Sequence, residues 1–170
     1  MSALHTALGD APLCLLVNNA GVGTRGAPLA EIDVTTLLQV VDVNVGGVIR
    51  ATRAVRPNLQ LAEVPLVVNV SSRLGSIHDQ AAGRYRDYNT SYAYRISKAA
   101  QNMATLCLAN ELRPQIRVWG IHPGRLATGM VRPDAAEDPR LAASRLRALA
   151  ETGHPNSPRF LNLAGGDIAW

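Results

Sequence analysis

Tyr94 and Lys98 stand four residues apart in the segment SYAYRISKAAQNMATLCLANEL, residues 91–112. The apolar spacing of this segment predicts a helix that stops before Pro114. A separation of four puts both side chains on one helix face, one turn above the other. A tyrosine with a reference pKa of about 10 is a poor acid or base at neutral pH. A neighbouring ammonium favours the phenolate. Lowering that pKa by roughly 3 corresponds to about 4 kcal/mol of differential stabilisation, the kind of tuning that lets a phenol exchange protons near pH 7. Taken alone, so short a match also describes a solvated Tyr–Lys pair on a helix surface.

Three further places could supply complementary groups. Ser72 closes an apolar run, so its hydroxyl could bind a substrate carbonyl or simply cap a strand end. Asn44 interrupts a helical pattern, where asparagine has poor propensity, and Gly46 and Gly47 follow it. A local distortion of the helix is expected, with a solvent-facing Asn as the plainer alternative. Pro123-Gly124-Arg125-Leu126-Ala127-Thr128 would set a hydroxyl and backbone groups against a ligand amide, or form an ordinary strand-to-loop turn. The four histidines show no metal-ligand spacing, so no metal site is expected.

Positioning these groups requires a particular order of elements. Residues 12–17 (PLCLLV) and 64–70 (VPLVVNV) are short continuous apolar runs, the pattern of strands buried on both faces. Residues 115–121 (QIRVWGI) and 159–163 predict two more strands. Between them lie helical patterns over 33–56, closed by Pro57, over 91–112 and over 136–151, with a polar connection from 73 to 90. Strand–helix alternation predicts one α/β domain over 1–170: a doubly wound parallel sheet of about four strands with flanking helices. Ligands of such sheets bind beyond the carboxyl ends of the strands. Asn18-Asn19, Ser71-Ser72 and Pro123-Gly124 with Thr128 all fall there.

Composition excludes several classes. Apolar residues are 47% and charged residues 18%, ordinary globular values. The net charge of +4 comes from arginines scattered without a basic run, so no nucleic-acid partner is expected. No apolar stretch is expected to reach the roughly 18 residues of a membrane span, and no membrane partner follows. The opening MSALHTALGDAP has no basic region and no long apolar core, which predicts no signal peptide and a cytoplasmic location. Cys14 and Cys107 sit in apolar runs and read as buried thiols.

The set NNAG (18–21), NVGG (44–47), VSS (70–72), YRISK (94–98) and HPG-x-x-x-T (122–128), in that order, resembles the short-chain dehydrogenase/reductase family. SSRLGSI (71–77), YAYRISKAA (92–100) and the ending RFLNLAGGDIAW are similar to its C-factor and sniffer-type carbonyl reductase branch. The resemblance implies a Rossmann-like fold and hydride transfer between NAD or NADP, with NADP favoured by the branch, and a small carbonyl or alcohol substrate. It implies that Tyr94 exchanges the proton, that Lys98 lowers its pKa and holds the nicotinamide ribose, that Ser72 orients the carbonyl, and that Asn44 holds a water. Asn18, Ala20 and Gly21 would line the cofactor, and Pro123, Gly124 and Thr128 the nicotinamide. A homodimer through helices 33–56 and 91–112 is implied as well.

The family's glycine-rich phosphate loop, T-G-x-x-x-G-x-G, is absent from the 170 residues. The expectation is therefore a partial Rossmann-like fold without its N-terminal strands, in which PLCLLV is an exposed edge and NAD(P)H is held weakly or not at all. Gly21-Val22-Gly23-Thr24-Arg25-Gly26 spells G-x-G-x-x-G, with Asp42 some 20 residues on. That acid should end a second strand, whereas Asp42 falls inside a helical pattern. The extra length between Ser72 and Tyr94 predicts a loop over the substrate mouth. Two functions are consistent with these features: an oxidoreductase of the carbonyl reductase or alcohol dehydrogenase type, or a non-catalytic, C-factor-like signalling or interaction protein that keeps the fold's C-terminal half.

Overall fold

The computed structural model describes residues 3–126, 137–152 and 156–170. Four parallel strands, β1 (Leu15–Asn18), β2 (Leu66–Val70), β3 (Arg117–His122) and β4 (Arg159–Asn162), form one sheet in the order β1-β2-β3-β4. The helices are α1 (Ala3–Leu8), α2 (Val34–Val41), α3 (Gly47–Gln60), α4 (Ile77–Ala81), α5 (Tyr92–Leu112) and α6 (Pro139–Glu151). A π-helical turn, Asp42–Gly46, joins α2 to α3 without a break. The α/β architecture expected from strand–helix alternation is the one found.

Side chains alternate across the strands, so each face of the sheet has its own core. Val67 and Val118 point to one face, where they pack with Val55 and Leu59 of α3 and with Ala109 and Leu112 of α5. Leu66, Val68, Trp119, Ile121 and Leu161 point to the other, covered by Leu146 and Leu149 of α6. The carboxyl terminus is packed down: Trp170 stacks on Phe160 with ring centroids 5.2 Å apart.

Several expectations need correction. β1 is not buried on both faces. Leu15 and Val17, paired with Leu66 and Val68, are 37% and 38% exposed, because no described helix covers that face at the sheet edge. Pro57 lies inside α3 instead of closing it. The helical hydrogen bond it forfeits falls on the exposed residue Arg53, where water can replace it. The continuous helix Val34–Gln60 is long and apolar enough to cross a membrane by length and composition. It nevertheless buries Val40, Asn44, Val48, Thr52, Val55 and Leu59 within the protein, the disposition of a core-packing helix. Both cysteines are exposed: Cys14 adjoins the free edge and Cys107 lies on the outer face of α5. The 73–90 connection is partly helical, with a 3-10 turn at Arg73–Gly75 followed by α4.

Candidate active site

Tyr94 and Lys98 occupy the first two turns of α5. Ser91 starts it, its hydroxyl accepting from the Tyr94 N–H at 3.1 Å, a side-chain cap for an otherwise orphaned donor. Tyr94 therefore sits at a fixed position in the first turn. Lys98 follows one turn later and is only 4% exposed. Its Nζ donates to the Val70 carbonyl and to Gln101 Oε1, both at 2.8 Å, and lies 5.7 Å from the centroid of the Tyr94 ring. Both acceptors are neutral. Desolvation alone pushes the ammonium down to about 8. Of the 17 basic residues in the chain, Lys98 is the only lysine.

Ser72 reaches Tyr94 from the end of β2. It caps the 3-10 turn that follows, accepting from the Leu74 N–H at 3.2 Å, and its hydroxyl lies beside that of Tyr94, where it favours the phenolate. Ser71 is turned away, its hydroxyl donating to Asn102 Oδ1 at 2.6 Å. Gly75 makes this meeting of β2 and α5 possible. A Cβ there would lie 2.6 Å from the Lys98 carbonyl carbon and 2.7 Å from its oxygen, so only glycine lets the turn lie directly against the α5 backbone.

Asn44 enters from the π-helical turn and is fully buried. Its Oδ1 accepts from the Val22 N–H at 2.8 Å, and its Nδ2 donates to the Val22 carbonyl and to Ser97 Oγ, each at 2.9 Å. Ser97 in turn donates to the Tyr94 carbonyl at 2.9 Å. The distortion expected at Asn44 is thus present, and it turns the side chain into the protein instead of toward solvent. Gly21 borders the same space: a Cβ on it would stand 3.4 Å from Asn44 Oδ1 and 3.5 Å from Lys98 Nζ.

The remaining positions fall around this group unevenly. Asn18 sends its amide inward, donating to Asn69 Oδ1 at 2.8 Å and Thr52 Oγ1 at 3.3 Å, and so ties β1 to β2 and α3. Ala20 is exposed, and Pro123 and Gly124 are half-buried just beyond β3. Gly124 adopts φ 98°. Thr128 lies outside the described residues. Asp42 pairs with Arg50 at 2.8 Å on the exposed side of the helix, away from the Gly21–Gly26 turn, which removes the literal G-x-G-x-x-G as a dinucleotide fingerprint. Among the described residues no cluster of His, Cys, Asp or Glu could hold a metal ion.

One electrostatic expectation is reversed. Burial raises the Tyr94 hydroxyl above its ordinary value, with Ser72 working in the opposite direction. Gln101 and Arg95 also belong to the site, though no spacing in the sequence points to them. Arg95 pins the 80–88 segment onto α5, donating to Gln80 Oε1 at 2.8 Å, the Tyr85 carbonyl at 2.9 Å and the Tyr88 carbonyl at 2.6 Å. Pairs of this kind leave no motif in a sequence.

A family model described as short chain dehydrogenase matches residues 5–139. C-signal of Myxococcus xanthus is 33% identical over 172 residues, covering 100% of both chains. The NADPH-bound carbonyl reductase from chicken fatty liver superposes with a TM-score of 0.81 at 26% identity, covering 99% of this chain and 70% of that one. The carbonyl reductase Sniffer of D. melanogaster gives a TM-score of 0.81 at 27% identity, covering 98% and 70%. The chain spans 43–62% of the length of other curated relatives, dehydrogenases and reductases among them. Matched family model, full-length relative and superposed folds agree with the strand-end geometry: this chain belongs to the short-chain dehydrogenase family, in its C-factor and sniffer-type branch.

Proposed function

We propose that the chain is an oxidoreductase of the carbonyl reductase or alcohol dehydrogenase type, acting with NAD or NADP on a small carbonyl or alcohol. The observation that carries this reading is the environment of Lys98. A lone lysine is buried beside a tyrosine whose hydroxyl meets a serine, and its two acceptors are neutral, so its charge is not cancelled by the protein. An ammonium has three donors and two are in use, which leaves one for a ligand.

The residues fit the nicotinamide–ribose half of such a cofactor. Lys98 and the side-chain-free Gly21 border one space; Asn18, Ala20, Gly21, Pro123, Gly124 and, outside the described residues, Thr128 would line it. When bound, the nucleotide supplies or accepts the hydride. Ser72 Oγ orients the substrate oxygen, and Tyr94 Oη gives it a proton in reduction or takes one in oxidation. The Lys98 charge favours the phenolate once proton transfer has occurred. Asn44 has both amide hydrogens engaged, so its share in a proton relay is a water held at Oδ1, which borders the space beside Gly21 that Lys98 Nζ also borders. The 170 residues hold no glycine-rich phosphate loop, so affinity weaker than micromolar is expected. A homodimer would use α2–α3 and α5, where Leu38, Ile49, Ile96 and Met103 are exposed and apolar.

The test is carbonyl reduction followed at millimolar NADPH and NADH. Tyr94→Phe is expected to lose about 10²–10⁴-fold in turnover, the usual contribution of a positioned general acid. Absence of Tyr94-dependent turnover with both nucleotides would sink the proposal.

A further inference from the structure

Gln101 lies one turn beyond Lys98 on α5. It is fully buried, and its two amide atoms fare differently. Oε1 accepts from Lys98 Nζ at 2.8 Å, while Nε2 has no hydrogen-bond partner among the described residues. A buried amide with its donor unsatisfied is unfavourable, and the oxygen's contact with the ammonium is what offsets it. The seat is built from outside: Asn18 donates to Asn69, Asn69 to Thr105 Oγ1 at 2.9 Å, and Thr105 to the Gln101 carbonyl at 2.9 Å. This chain of bonds fixes α5 at Gln101 against β2 and β1.

We propose that Gln101 is a positioning residue of the site: its side-chain oxygen and the Val70 carbonyl hold the Lys98 ammonium from two sides and leave the third N–H facing the space beside Gly21. The inference rests on the oxidoreductase reading for its catalytic meaning, but not for its geometry. A neutral amide suits the task, because it binds the ammonium while leaving a full positive charge for a ligand and for Tyr94. A carboxylate in the same place would cancel that charge. Among the described residues Tyr94 is the one titratable group set against Lys98. Val70 presents only a carbonyl, Gly21 and Gly75 no side chain, and Asn44 a neutral amide.

The role gives two near-isosteric variants opposite signatures. Gln101→Met keeps the volume and removes the acceptor, so the protonated amine loses a partner. Gln101→Glu keeps the shape and adds a negative charge. The full chain is labelled with ¹³C and ¹⁵N, and the lysine ε-methylene signal, unique because the chain has one lysine, is followed against pH. Relative to the wild-type midpoint near 8, Gln101→Met is expected to titrate about one pH unit lower and Gln101→Glu about one higher, the scale of one charge-assisted hydrogen bond. Midpoints that stay put, or move together, in folded variants would overturn the proposal. If Gln101→Met does not fold, the upward shift in Gln101→Glu decides alone. Opposite shifts in a chain without reductase activity would support the role of Gln101 and count against the oxidoreductase reading, so the two can fail separately.

Discussion

Burying the only lysine of the chain should make folding stability depend on pH in an unusual direction. Lys98 titrates near 8 in the folded protein against an ordinary 10.5. Between those values the unfolded chain binds more protons than the native one, so stability rises with pH. Below about 8 the full cost of holding the charged form applies, about 3 kcal/mol at about 1.4 kcal/mol per pH unit. Raising the pH from 7 to 9.5 should therefore stabilise the wild type by about 2 kcal/mol relative to a Lys98→Met variant, which has nothing to titrate there. Urea unfolding of both proteins at the two pH values gives the difference directly, and subtraction removes every other titrating group. Loss of the bonds to Val70 and Gln101 in the variant is a constant offset that leaves the pH-dependent part intact. A wild-type-minus-variant difference equal at both pH values would refute the claim that Lys98 is desolvated and charged at neutral pH.

Asn44→Ala removes three hydrogen bonds from a fully buried side chain. Because Val22 is exposed and Ser97 keeps its bond to Tyr94, the loss should be about 2–3 kcal/mol rather than three full desolvation penalties, measurable as a lower urea midpoint. Gly75→Ala drives a methyl group into the α5 backbone at Lys98 and should destabilise the fold by about 1–3 kcal/mol; Gly165→Ala, with open space around it but φ 128°, controls for backbone strain without a clash. Mutation of the outward apolar stripe, Ile96→Lys with Met103→Lys, should convert any dimer seen by light scattering to monomer and leave a monomer unchanged.

The order of elements was legible because parallel strands announce themselves as short, mostly apolar runs, as in LVVNV and RVWGIH, and because Pro114 marks the end of α5. The site was legible where residue identity is also geometry: a four-residue separation on a helix makes Tyr94 and Lys98 neighbours, and a strand end makes Ser72 available. What spacing does not reveal is who partners whom across the fold. Gln101 reads as one more polar helix position, and nothing local announces that it meets Lys98. Nor does the pattern of PLCLLV say that one of its faces lies open, since that depends on where the covering helices are. The sign of the Tyr94 shift was missed for a related reason. A charge four residues away is visible in the sequence, whereas the burial that raises the hydroxyl depends on residues distant in the chain.

The π-helical turn at Asp42–Gly46 sets the phase of everything after it. Inward residues along this stretch fall at 40, 44, 48 and 52, a repeat of four, while an ordinary helix turns about 100° per residue and would let that stripe wander by about 120° over twelve residues. The wider turn absorbs the surplus, so Val40, Asn44 and Val48 stay on one side. It thus works as a vernier between two helices, letting α2 face α5 while α3 faces the sheet. Removing a single residue there would swing α3 by about 100° and carry Thr52 away from Asn18 and Asn58 away from the Gly9 and Ala11 carbonyls it now clamps. The same five residues that seat Asn44 between Val22 and Ser97 therefore also hold the first strand in register with the rest of the sheet.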